Sequence, residues 1–239
     1  VEGNLTISTT GNSASVSDPN ELDTSSGIGL YAGTISVEKN TTINTSGKNA
    51  NGIYIATGSF EGLGSNSITT TGSNSAGIKS VGGVVALGIA ANTAPSNTTA
   101  VLIQSGVINS SGSGVIIKRN DKSTQDVIFS LGNQGSITSG LDGIYVENKA
   151  SNNWTLVDVS GTVVGGTGSG IGTNTVRTVT INLNNGADVS ATSGMAIKDA
   201  DGDAIVTMNS GSKVTGTIDL GNNNDNLRIN LSLMDIIKL

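Results

Sequence analysis

Apolar and polar residues alternate along most of this chain in short runs, separated by glycine, asparagine and serine. Three kinds of run recur in a fixed order. The first holds a β-branched marker, in "NTTINTSG", "SNSITTTG", "SGVINSSG", "QGSITSG", "SGTVVGG" and "GADVSAT", at Ile43, Ile68, Ile108, Ile137, Val163 and Val189. The second starts from a glycine, as in "NANGIYI", "SAGIKS" and "LDGIYVEN", with Gly52, Gly77, Gly114, Gly143, Gly170 and Gly194 as markers. The third fills the gap before the next β-branched marker: "AVLIQS", "DVIFSL", "NWTLVDVS", "TVTINL" and "AIVTMNS". Alternation with a period of two, bounded by turn residues, predicts strands, and no window sustains the 3.6-residue period of a helix.

The β-branched markers stand 25, 40, 29, 26 and 26 residues apart and the glycines 25, 37, 29, 27 and 24. Two markers on one beat signal a repeat that must stack on copies of itself to bury its apolar face. A propeller blade needs four strands in about 40–45 residues, more than one beat supplies. The spacing therefore predicts an all-β chain folded as a right-handed, three-sided parallel β-helix, one continuous domain over residues 1–239. About nine coils are expected, each adding roughly 4.8 Å. Glycine and asparagine are expected at corners that require positive φ. The shared excess near residues 81–100 is expected to lie outside the coil, so that Ala86 to Ser96 can be deleted without loss of the fold. The chain opens in mid-pattern at "VEGNLTIST", which predicts a segment of a longer rod.

Composition narrows the partners. Only 13% of residues are charged and the formal net charge is −6, which gives no electrostatic footprint for nucleic acid. Cysteine and histidine are both absent, which excludes disulfides, thiolate metal sites and histidine-dependent triads. No cofactor is expected. The longest apolar stretch, "VGGVVALGIAA", is too short and too interrupted to span a bilayer as a helix.

The Ser/Thr/Asn/Gly-rich coils with "SGxxGI" corners resemble the passenger domains of autotransporters, the type V secreted proteins of Gram-negative bacteria. The stretch "SGSKVTGTIDLGNNNDNLRINL" is the nearest in style. The resemblance implies a rigid adhesin rod on the cell surface, without enzymatic activity, anchored through an outer-membrane β-barrel translocator. Its partners would be proteins or glycans of host or bacterial cells, with homotypic contacts between rods. Two other readings stay open: a carbohydrate-active β-helix, such as a lyase, hydrolase or tailspike, and a passive stalk presenting a site elsewhere.

Candidate chemistry is sparse. Asp126, Asp142, Asp158, Asp188 and Asp219 are the carboxylates from which a glycoside-cleaving pair would have to be drawn. "DADGDAI" sets Asp199, Asp201 and Asp203 at alternate positions like the start of a calcium loop, but Gly202 falls at the fourth position and Ser210 where a bidentate Glu is needed. A polar turn is the expectation there. The densest charges, Lys118, Arg119, Asp121 and Lys122 in "KRNDKSTQD", are followed one beat later by Glu147, Lys149 and the sole tryptophan, Trp154, in "ENKASNNW". Both follow a glycine-led strand, where chain length varies, so they are expected to project from one edge as a ligand-binding candidate. The alternative is solvated loops with Trp154 covering a core column.

Overall fold

The computed structural model describes residues 1–12, 25–230 and 232. They form a three-sided parallel β-helix, with one three-residue 3-10 turn, Ala91–Thr93, as the helical element among them.

Each kind of run makes one wall. The first wall stacks Leu5–Thr9, Thr41–Thr45, Asn66–Thr70, 107–110, 136–139, Thr162–Gly165, 188–191 and 213–215. The second stacks Ile28–Leu30, Ile53–Ile55, Ile78–Ser80, Val115–Arg119, Ile144–Asn148, Ile171–Thr175, 195–199 and 217–219. The third runs from Thr34–Val37 through Ser59–Gly62, Val84–Leu87, 98–103, 126–131, Thr155–Val159, Val179–Leu183 and Ala204–Asn209 to Asn226–Asn230. All pairings are parallel. Eight strands on the first wall give seven steps, or roughly 34 Å at 4.8 Å per step, somewhat shorter than nine coils would give.

Inward residues stack by identity. On the first wall Ile7, Ile43, Ile68, Ile108, Ile137, Val163, Val189 and Val214 form one column. On the second, Ile28, Ile53, Ile78, Val115, Ile144, Ile171, Ile197 and Ile218 form another. Phe60 and Phe129, both fully buried, lie in a third-wall column with Val85, Val101, Val157 and Ile181. Parallel strands carrying β-branched side chains at equivalent positions bury the same methyl groups coil after coil, which is why the alternation repeats.

The two markers keep time because they touch. A Cβ on Gly52 would meet Ile68 Cγ2 at 2.4 Å and the Gly77 carbonyl at 2.6 Å. On Gly114 it would meet Ile137 Cγ2 at 2.2 Å and the Gly143 carbonyl at 2.5 Å. Close approach, not positive φ, is thus what Gly52 and Gly114 supply, while glycine and asparagine do take the positive-φ corners, as expected. Positive φ falls elsewhere, at Gly33, Gly58 and Gly83 before the third wall and at Asn49 and Asn74 before the second. Gly194 is corrected: Gly170 lies against Ala196, Ile171 pairs with Ile197, and Gly194 turns in open space with φ of 83°.

The excess is not a removable loop. Val84–Leu87 and 98–103 are neighbouring strands on the third wall, while the first and second walls pass directly from Asn66–Thr70 to 107–110 and from Ile78–Ser80 to Val115–Arg119. The third wall therefore carries one strand more than the others. Ala86 and Leu87 are fully buried inside that strand, so deleting Ala86 to Ser96 cuts a wall. The return segment carries the 3-10 turn, whose Ala91 N–H donates to Glu61 Oε2 at 2.9 Å, on the outward side of the neighbouring strand. That hydrogen bond holds the Glu61 carboxyl below its ordinary pKa.

Candidate functional site

The corner between the second and third walls is where the coils differ. It is three residues long at 31–33, 56–58 and 81–83, then widens to 120–125 and 149–154. Lys118 and Arg119 end the fourth coil's second-wall strand, and Asp121 and Lys122 occupy its corner. Glu147, Lys149 and Trp154 take the equivalent stations in the fifth coil. The fold thus brings the charged runs to one edge.

Register sets the contacts. Lys118 pairs with Glu147 across the ladder, and their charges lie 3.8 Å apart with both side chains partly exposed. Lys118 Nζ also sits 5.7 Å from the centroid of the Tyr145 ring, whose hydroxyl donates to Glu147 Oε2 at 3.1 Å. Burial is the largest influence on the Tyr145 hydroxyl and pushes its pKa up, so it remains a donor at neutral pH. Lys149 Nζ donates to Asn174 Oδ1 and lies 3.9 Å from Asp201 Oδ2. Trp154 is 44% exposed, with its backbone N–H donating to Asp126 Oδ1 at 3.0 Å. The indole stands outside the rod and does not cover a core column.

Arg119 is spent on the fold. Its Nε and Nη2 donate to Ser123 Oγ at 2.9 and 2.7 Å, and Nη1 donates to the Val81 carbonyl of the preceding coil. The guanidinium therefore ties two coils together and is not presented for a ligand. Burial lowers its pKa, since charge is costlier away from water. Asn153, next to the tryptophan, is a second tie, donating to the Ser123 and Gln125 carbonyls at 3.0 and 2.9 Å. Asp121 and Lys122 are exposed.

The wall carboxylates are likewise engaged within the rod. Asp126 accepts from the Trp154 backbone N–H, Asp142 from Ser169 N–H and Oγ at 2.8 Å, and Asp158 from Asn184 Nδ2 at 2.7 Å. Asp188 pairs with Lys213 at 3.1 Å, and Asp219 accepts from Gly221 N–H. Carboxylates that accept hydrogen bonds from a neighbouring coil act as corner caps, much as Asp and Asn do in turns.

The calcium candidates separate. Asp199 points into the core, 2% exposed, and accepts from Thr173 Oγ1 at 2.5 Å, while Asp201 lies exposed beside Lys149 and Asp203 accepts from Asn224 N–H at 3.1 Å. Among the described residues no group of three carboxylates is placed to hold a metal ion. No family model, curated protein or solved structure matches this chain.

The sequence led to an expectation of homotypic contacts between rods without assigning residues of the outer faces to them. On the first wall the outward positions Thr6, Ser8, Thr42, Asn44, Ser67, Thr69, Asn109, Ser136, Thr138 and Thr162 make a strip of hydroxyls and amides, interrupted by Val107 and Val164 and without charge until Asp188. On the second wall Tyr54, Lys79, Ile116 and Tyr145 stand one above another. Both columns become legible once the inward markers are aligned, because outward residues are their immediate neighbours in sequence.

Proposed function

We propose that this chain is the shaft of a bacterial adhesin, an autotransporter-type passenger exposed at the surface of a Gram-negative cell and held there by an outer-membrane β-barrel. The observation that carries the reading is the gathering of solvent-facing Lys118, Glu147, Lys149 and Trp154 at one edge, on a rod whose wall carboxylates are taken up by its own backbone and side chains. A rigid solenoid holds such groups at fixed intervals, and many copies on one cell make weak contacts effective together. The uncharged first-wall strip supports a second kind of contact, between rods lying side by side.

Attachment of the purified chain to whole cells and to a broad glycan array tests the reading, with Trp154→Ala and Lys118→Ala variants alongside. Binding that weakens in those variants supports an adhesive edge. No binding by the parent chain on either surface removes the adhesive function and leaves a stalk. Contact between rods predicts sedimentation that depends on concentration, and a monomer at high concentration excludes it.

A further inference from the structure

The amphipathic aromatics are not spread around the rod. Both phenylalanines are in the core, whereas Tyr145 lies half-buried on the outer side of the second wall, Tyr31 begins the corner that follows it, and Trp154 ends that corner in the fifth coil; Tyr54, on the same side of the wall as Tyr145, is covered and only 2% exposed. Tyr54, Lys79, Ile116 and Tyr145 occupy successive rungs of one outward column, at steps of roughly 4.8 Å. Lys79 Nζ sits 5.6 Å from the Tyr54 ring centroid and Lys118 Nζ 5.7 Å from that of Tyr145.

Charge follows the same face. From the third to the fifth coil, the second wall and its corner hold Lys79, Lys118, Arg119, Lys122 and Lys149 against Asp121 and Glu147, an excess of three positive charges on a chain whose total is −6, with Arg119 taken up by the fold. The lysines are held by weak partners: the pairs with Glu147 and Asp201 are 3.8 and 3.9 Å long and partly exposed. Exposed pairs of this kind contribute little, so an incoming anion displaces them at small cost. Tyr145 adds a neutral hydroxyl donor and a flat ring edge beside Lys118.

We propose that this face binds an acidic polysaccharide lying obliquely across the coils, because Lys79 pairs with Ile116 and Lys118 with Glu147, so that each lysine stands two residues further along its strand than the one before. Its carboxylate or sulfate groups would meet Lys79, Lys118 and Lys149 on successive coils, with a sugar ring against Tyr145. The spacing suits a polymer better than a single sugar, because the lysines form a line and not a ring. This proposal rests on the adhesive reading and names its ligand chemistry.

The test measures binding of heparin, hyaluronate and neutral dextran to the purified chain at low and high salt. Heparin and hyaluronate are expected to bind, dextran not, with affinity falling as salt rises. The triple variant Lys79→Gln/Lys118→Gln/Lys149→Gln is expected to lose roughly tenfold or more in heparin affinity, as three weak charge contacts together supply. Lys48→Gln/Lys213→Gln, elsewhere on the rod, should leave it unchanged. Glu147→Gln should raise affinity, which loss of a merely structural contact would not do. Equal heparin binding by parent and triple variant overturns the proposal, as does dextran binding equal to that of heparin. If cells are bound equally by parent and triple variant, the acidic ligand is wrong while the adhesive function stands. If the parent binds heparin and no cell, the adhesive function fails on its own.

Discussion

Asp199 offers the sharpest prediction. It occupies a core column in which the preceding coils place Ile117, Val146 and Thr173, and its Oδ2 is buried without a hydrogen-bond partner. Burial raises its pKa from 3.8 to about 6, with the charges of Asp225 and Asp201 adding to the rise and hydrogen bonds from Thr173 and the Ala200 N–H opposing it. In the unfolded chain the group titrates near its ordinary value. Between those two values the folded state holds the proton and the unfolded state does not, so stability falls as pH rises through about 6. A rise of about 2 units, at about 1.4 kcal/mol per unit, amounts to roughly 3 kcal/mol between full protonation and full ionisation. Asp199→Asn keeps the acceptor for Thr173 and removes the ionisation. Urea unfolding from pH 4.5 to 7.5, followed by circular dichroism, should show the parent losing stability relative to the Asn variant across that window. A parent-minus-variant difference that is flat, or that grows in the parent's favour with pH, refutes the reasoning.

Three further predictions concern the stack. Gly114→Ala should destabilise by about 1–3 kcal/mol, because its methyl would meet Ile137 Cγ2 and a backbone carbonyl that cannot retreat, and a thermal melt unchanged within a degree would contradict that contact. Excising residues 84–99 joins Gly83 to Ala100, the residue paired with Val84, and so removes one strand with its return segment in register. That variant should keep a cooperative β transition, while deletion of 86–96 leaves surplus residues before Ala100 and should broaden or abolish it, as limited proteolysis and circular dichroism would show. Arg119→Ala should cost on the order of 1–3 kcal/mol by leaving the partly buried Val81 carbonyl without the guanidinium, and Arg119→Lys should recover little, since one ammonium cannot reach Ser123 and Val81 in the guanidinium's geometry.

The repeat was legible because a stacked fold imposes its period on the chain: each inward isoleucine must sit on another, and each marker glycine must admit a methyl from the next coil. From that alone the sequence determined the strand class, the three walls and the edge where charges collect. What it could not carry was register. The glycine beat ran to Gly194, although the ladder is kept by Ala196, because a small residue suffices there and spacing alone does not reveal which one faces the neighbour. The extra strand Val84–Leu87 read as surplus because Ala100, its partner in the next rung, follows Val84 by only 16 residues, off the beat of the other coils, and its alternation is short. Arg119 looked like a free charge until the Val81 carbonyl came within reach across a coil. Those facts belong to the tertiary structure, since a coil's neighbours are some 25 residues away and only stacking decides which side chains meet.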